Sequence, residues 1–351
     1  MKKISEIFWG LVGLAAVAAS CYLLWGKLKD QSWASIEAAF LAIPPHHVLF
    51  AALSTLVAYA ALAWYDRIAL MHLGVRGISW RFVSLCSFTT YALSHNIGAS
   101  VFSGALVRYR AYTAKGLSAA QVAVLVALCS FTFGLGTILL GGFVLVYDPG
   151  LLARLDSLLP AALTNPHTAR LVGFALLAFV ALYVLGSVLR FRPLTIRSFK
   201  IEYPRPQIMV RQLIAAPLEL LGAAGIIYFA LPDALNPGFI AVLGIFLASF
   251  SVALASHAPG GLGVFELVFF TAMQLQTDAE KAPVLAALLI FRLFYLLIPF
   301  AIAIVVVVLF ERSRLSKALS DKANPNPPEP PLVAPGLDNH VIEKRLEKKA
   351  V

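Results

Sequence analysis

Charged side chains are scarce in this chain: 13% of its 351 residues are Asp, Glu, Lys or Arg, while 60% are hydrophobic. An ordinary globular domain is about 25% charged, so a soluble multi-domain enzyme is excluded. Cysteine is rare as well. Cys21, Cys86 and Cys129 each lie inside an apolar run, with no CxxC and no Cys/His cluster. Neither a disulfide framework nor a zinc site is expected, and all three read as packing residues. The motifs of soluble catalysis are missing too: there is no H-E-x-x-H, no G-x-G-x-x-G opening a βαβ unit, no P-loop and no G-x-S-x-G. A non-enzyme is therefore expected, with no catalytic residue, metal or cofactor, and any transport is passive or ion-coupled. Acidic residues are the minority sign, 18 against 28 Lys and Arg. The basic ones sit between apolar runs, so they report membrane topology and no nucleic-acid partner is expected.

Long apolar runs are what the chain has in abundance; its mean hydropathy is +0.83. A helix rising 1.5 Å per residue needs about 20 apolar residues to cross a hydrocarbon core of about 30 Å. Six stretches qualify, at roughly 7–26, 48–70, 119–147, 168–189, 209–231 and 282–310. The first lacks a small-residue cleavage site and reads as a retained helix. Two further apolar regions are broken near their centres. One runs from Trp80 to about Leu106 and is broken at Ser94-His95-Asn96-Ile97-Gly98; the other runs from Phe239 to about Leu275 and is broken from Ser256 to Gly263. Irregular backbone at membrane depth needs protein or a wet cavity to satisfy it, so each region is expected to be a re-entrant helical hairpin.

Charge asymmetry supports that count. With the N-terminus inside, 22 of the 28 basic residues fall on cytoplasmic segments, five (Lys27, Lys29, Arg154, Arg170, Lys281) fall outside, and Arg292 lies within a span. Both termini are then cytoplasmic. Treating either hairpin as a single crossing would destroy the bias.

The two breaks share S-H-x-x-G, at Ser94/His95/Gly98 and Ser256/His257/Gly260, offset by 162 residues. The same offset carries the starts of the first-half elements to within a residue or so of the second-half ones, with halves of about 1–150 and 160–318. Three full spans per half make the repeat inverted, and broken helices in corresponding positions point to a transporter with its site near the midplane. Residues 28–47 read as an external interfacial helix and turn. From 319 to 351 a Pro-rich tail is expected to be disordered and cytoplasmic.

Ionisable groups at membrane depth each need a reason, because one at the bilayer centre costs at least about 2.5–3.5 kcal/mol. Glu219 and Arg292 each lie ten residues into a span, and Glu266 follows the second break. A Glu–Arg pair among them would offset the desolvation of both partners. Asp66 and Arg67 sit near a helix end, where Arg67 is expected to snorkel and Asp66 is less suited to it. Arg108 and Arg110 follow the first hairpin; they read either as a guanidinium fork for a phosphate head group or as plain positive-inside charge. His95 and His257 occupy matching places at the breaks, where Ser94 and Asn96 supply further polar groups. Gly260 and Gly261, with Gly263, let the chain turn tightly, and the helix N-terminus that follows is suited to an anionic oxygen.

The run Leu93–Gly98, followed by Ser103-Gly104, Arg108-Tyr109-Arg110-Ala111-Tyr112 and Gly116-Leu117-Ser118, resembles the N-terminal flippase domain of the multiple peptide resistance factor family, the lysylphosphatidylglycerol synthase/flippases. Pro259-Gly260-Gly261-Leu262-Gly263-Val264-Phe265-Glu266 resembles it too. The resemblance covers roughly residues 5–315 and implies a bacterial inner-membrane protein that moves a lipid between leaflets. Full-length members add a soluble aminoacyltransferase domain, which this chain does not carry, so translocation without synthesis is expected.

The expected fold is thus an all-α polytopic membrane protein, an inverted repeat of six spans and two re-entrant hairpins over residues 1–318. The expected partner is a membrane phospholipid, with aminoacylated phosphatidylglycerol among the substrates left open, as are a separate lipid-modifying enzyme and a homo-oligomer. The rival functions are a non-transporting scaffold for such an enzyme and a secondary transporter of a small anion or a polyprenyl-phosphate lipid.

Overall fold

Proline opens three of the long helices. At the first helical position its missing N–H costs nothing and its fixed φ suits the helix. Pro45 starts α2 (Pro45–His72), Pro166 starts α6 (Pro166–Val188) and Pro206 starts α7 (Pro206–Ala230). The computed structural model describes residues 31–97, 100–189, 194–196, 199–201 and 203–323, together with Tyr22, Leu23 and Trp25. The expected first span at 7–26, apart from those three residues, and Gly98 of the first break lie outside the described residues; of the tail expected over 319–351, residues 319–323 continue the last helix and the rest lie outside the described residues. The chain divides into two units, residues 1–306 and 307–351.

Before α2 comes a short helix, α1 (Trp33–Leu41), capped by Ser32, whose Oγ accepts the Ser35 N–H at 3.1 Å. The region of the first break forms two helices, α3 (Trp80–Ile97) and α4 (Ser100–Thr113), packed on each other. The long α5 (Ala119–Tyr147) opens with a capping box in which Ser118 and Gln121 satisfy each other's backbone N–H groups. Between α6 and α7 lies a short antiparallel pair, β1 (Leu194–Ile196) and β2 (Phe199–Ile201). The region of the second break likewise forms two packed helices, α8 (Phe239–Ala255) and α9 (Val264–Met273). The last apolar run holds α10 (Lys281–Phe291), a π-helical segment at Arg292–Leu297, and α11 (Ile298–Ala323).

Five of these stretches are long and apolar enough to cross a membrane: α2, α5, α6, α7 and the run Asp278–Phe310. The outward side chains of α6 match that reading, with Leu171, Phe174 and Leu182 all exposed; such an apolar face suits lipid rather than water.

The centre of the bundle is the α2–α7 pair. Ala51, Ala58, Ala215, Ala216, Ala223 and Ala224 are completely buried, and Gly222 lets the two backbones touch. A Cβ there would stand 2.9 Å from both the Ala58 nitrogen and the Ser54 carbonyl oxygen. Helices in lipid gain little from burying apolar surface against each other, so close packing through small residues is what holds such a pair. At Gly136 of α5 a Cβ would stand 2.7 Å from Ala216 Cβ, which brings α5 onto the same core.

The single span expected over 282–310 is locally rewound at Arg292–Leu297. Pro299, one residue into α11, has no N–H to return to the Tyr295 carbonyl. That carbonyl instead accepts the Tyr59 hydroxyl of α2 at 2.9 Å. The next carbonyl, of Leu296, accepts the Asn96 amide of α3 at 3.2 Å. The π-helical turn is therefore tied by side chains from two other helices, which satisfy carbonyls that regular α-helix would have used.

A cavity between the two helix breaks

Two ion pairs lie inside the bundle among the described residues, one beside each break. In the first, Asp66 of α2 is fully buried and Arg108 of α4 is 4% exposed. Arg108 Nη2 donates to Asp66 Oδ1 at 2.6 Å and Nε lies 3.2 Å from both carboxylate oxygens. Tyr112, one turn beyond Arg108, donates to Asp66 Oδ2 at 2.8 Å, and the Cys129 thiol of α5 approaches Oδ1 at 3.5 Å. The guanidinium also lies over the Tyr91 ring at 4.7 Å from its centroid. Asp66 is thus no interfacial residue: with several donors converging on it, the carboxylate is held inside the bundle. Nor do Arg108 and Arg110 form a common fork. Two residues apart on a helix they face different ways, and Arg108 is buried while Arg110 is exposed. Cys129, expected as simple packing, contributes to the polar cluster.

Close approach of α3 and α4 depends on Gly104, where a Cβ would collide with the Ser94 Oγ at 2.6 Å. Ser94 itself donates to the Thr90 carbonyl of its own helix at 2.6 Å.

The second ion pair sits at the other break. The Arg292 Nε donates to Glu266 Oε1, and Arg292 Nη1 donates to the Gly260 carbonyl at 3.1 Å. The other carboxylate oxygen of Glu266 accepts the Gly263 N–H at 2.9 Å, so one side chain caps α9 and holds the arginine at once. The backbone here runs through positive φ at His257 (56°), Gly260 (59°), Gly261 (61°) and Gly263 (75°). Glycine adopts that conformation freely; His257 does so with its Nδ1 2.9 Å from the Ala255 carbonyl. At Gly261 a Cβ would also press on Ala253 at 2.9 Å. The two pairs are reciprocal. In the first, the arm following the break supplies the arginine and a long helix the acid; in the second, that arm supplies the acid and the long run the arginine.

Between the breaks lies a cavity of about 440 Å³, within the range of about 300–1,000 Å³ usual for ligand sites. Ser94, His95 and Arg108 line it from the first half, and His257, Gly260, Gly261 and Arg292 from the second, amid mainly apolar side chains such as Phe250 and Phe265. His257 and Leu254 are exposed at its margin.

Glu219 stands apart. It is 1% exposed, its Oε1 accepts the Tyr295 hydroxyl at 2.5 Å, and its Oε2 has no hydrogen-bond partner among the described residues. Of the two glutamates, Glu266 is the one that meets Arg292. Asn96 belongs to the architecture around the cavity, bonding Ala92 and Leu296 carbonyls. Sequence reading missed the tyrosines: Tyr112 on Asp66, Tyr91 under Arg108, and Tyr295, which bonds Glu219 and stacks on His95 with centroids 5.2 Å apart. Their signal was there to find, because Arg108/Tyr112 and Arg292/Tyr295 are spaced one helical turn apart beside the residues that were singled out.

Comparison with known proteins agrees with this membrane architecture. Residues 10–303 match the family described as the lysylphosphatidylglycerol synthase transmembrane region. The uncharacterized protein slr0712 of Synechocystis is 29% identical over 298 residues, 85% of this chain and 90% of that protein. The inner membrane protein YbhN of Escherichia coli is 30% identical over 257 residues, 73% of this chain and 77% of its own. The phosphatidylglycerol lysyltransferase of Staphylococcus haemolyticus is 36% identical over 95 residues, 26% of this chain and 11% of the much longer relative.

Proposed function

The chain belongs to the lysylphosphatidylglycerol synthase transmembrane-region family, and on that premise we propose that this multi-pass membrane protein moves a phospholipid between the leaflets of a bacterial inner membrane. The cavity between the two breaks carries the reading. Its walls are mainly apolar, and among its polar groups stand two arginines, each steadied by a carboxylate. That chemistry suits the phosphate of an amphiphile whose acyl chains stay in the bilayer, because a guanidinium binds phosphate oxygens through paired N–H groups. A free small anion would gain nothing from the apolar wall. The inner membrane follows YbhN, whose name places that relative there.

The two halves act as an inverted repeat of re-entrant hairpins. Offsets near 162 relate α2 to α7, α3 to α8, α4 to α9 and α5 to α10, and the central α2–α7 pair then lies on the pseudo-twofold axis. Transporters built this way place substrate at the interface of the repeats. Arg292 and Arg108 hold the phosphate in turn, the serine and histidine of each break lend hydrogen bonds, and aminoacylated phosphatidylglycerol is one member of the substrate class. Both termini face the cytoplasm, where Arg110 and its basic neighbours meet anionic head groups.

The test is reconstitution into liposomes carrying head-group-labelled phosphatidylglycerol, its lysyl ester or a polyprenyl-phosphate sugar. Protein-dependent loss of inner-leaflet protection for one lipid class, abolished by Arg292→Gln, is the expected result. Folded, inserted protein that moves none of them would leave a scaffold for a lipid-modifying enzyme, or a small-anion carrier, as the better reading.

A further inference from the structure

Among the described residues, Glu219 is the one buried carboxylate with no cation beside it. The arginines at membrane depth, Arg108 and Arg292, are engaged by Asp66 and Glu266. Among the described residues, the titratable side chains facing Glu219 are tyrosines only: Tyr59 and Tyr65 from α2 and Tyr295 from the π-helical segment. Other helices against α7 add no cation near it. Cys129 of α5 is turned to Asp66, Tyr183 of α6 bonds Gln212, α8 has no titratable residue, and Lys281 of α10 pairs with Asp278 at the helix end. On α7 itself, Arg211 lies about two turns before Glu219 and bonds the Gln207 carbonyl. An ionised carboxylate buried without a cation is strongly disfavoured, and it is relieved by taking up a proton.

One layer of side chains stands between Glu219 and the cavity. Tyr295 bonds Glu219 through its hydroxyl and stacks through its ring on His95, with the planes 20° apart. The His95 ring lines the cavity, and its Nδ1 is buried without a hydrogen-bond partner among the described residues. Glu219, Tyr295, His95 and the cavity therefore form one series. Tyr295 also lies in the rewound π-helical turn, whose carbonyls are held by Tyr59 and Asn96 rather than by regular helix, so this layer is built where the helix is least constrained by its own ladder.

We propose that Glu219 is a proton-binding site which exchanges with the cavity through the Tyr295–His95 layer and couples proton movement to lipid movement. This rests on the transport reading above. No bond other than O–H is made or broken: Glu219 Oε2 takes the proton when the layer opens toward the cavity, carries it neutral through the closed state, and returns it on the other side.

The experiment uses the full chain in phosphatidylcholine vesicles with head-group-labelled phosphatidylglycerol, with and without an imposed pH gradient, alongside infrared spectra of the same protein. One proton per lipid makes a one-unit gradient displace the leaflet distribution by about tenfold. The gradient effect should vanish in Glu219→Gln. A protonated-carboxyl C=O band should be present in the unaltered protein, absent from Glu219→Gln, and shifted in Tyr295→Phe, which keeps the ring stack and removes the hydroxyl. Lipid movement indifferent to the gradient would overturn the coupling and leave the flippase reading standing. An infrared spectrum with no carboxylic-acid band assignable to Glu219 near neutral pH would overturn the proton site itself. If the folded protein moves no lipid, the transport reading falls and the coupling with it. Should Glu219→Gln fail to fold, the Tyr295→Phe band shift decides the assignment.

Discussion

At the scale of single residues, burial makes each charge dependent on its partner. Asp66 is reached by the Arg108 guanidinium, the Tyr112 hydroxyl and the Cys129 thiol. Removing it strands a buried arginine, and breaking such a pair costs about 3–5 kcal/mol. Asp66→Ala is accordingly expected to lower the thermal midpoint in detergent more than any surface substitution, and adding Arg108→Ala should recover part of the loss. Tyr112→Phe removes a single hydrogen bond to a charged acceptor, which is worth about 1.5–3 kcal/mol, and should fall between the two. Equal midpoints for Asp66→Ala and the unaltered protein would show that the pair is not what holds α4 to α2. Both residues stood out in the sequence, Asp66 as ill-suited to a helix end and Arg108 as either a phosphate fork or positive-inside charge. Their pairing did not: Asp66 and Arg108 are 42 positions apart, and nothing local to either says that one side chain turns inward while Arg110 turns out.

At the scale of the helices, glycine positions separate packing from simple composition. Gly222 sits against the backbone of α2, so a Cβ there meets atoms that cannot move aside. Gly222→Val is expected to destabilise the α2–α7 pair by at least about 1–3 kcal/mol, the ordinary effect of overpacking. Gly141 in α5 has open space around its would-be Cβ, and Gly141→Ala should stabilise by about 0.5–1 kcal/mol through helix propensity alone. Paired chemical-denaturation or thermal measurements distinguish the two, and a loss at Gly141 as large as at Gly222 would mean that the helix surfaces are arranged differently. Both breaks were visible in advance as polar and glycine-rich interruptions. The π-helical turn was not, since one proline near a helix start is compatible with regular helix until Tyr59 and Asn96 supply donors for the freed carbonyls.

At the scale of the whole molecule, the distribution of basic residues makes a topological prediction. Single cysteines replacing Lys115 and Arg211 should react with a membrane-impermeant maleimide only from the cytoplasmic side, and one replacing Lys281 only from outside, in a background where the native cysteines are changed to serine. Labelling of Lys115→Cys and Lys281→Cys from the same side would overturn the proposal that the halves are inverted. The sequence by itself determined the membrane class, the places where helices run and break, and the near-regular offset between halves, because hydropathy, helix period and proline or glycine interruption are local properties of the chain. Only the tertiary structure decided that both breaks line one cavity, that Glu266 and not Glu219 meets Arg292, and that Tyr295 joins Glu219 to His95. Those are contacts between distant parts of the chain, chosen by which charge, hydroxyl or carbonyl is within reach once the helices have packed, and hydrophobic pattern carries no record of that choice.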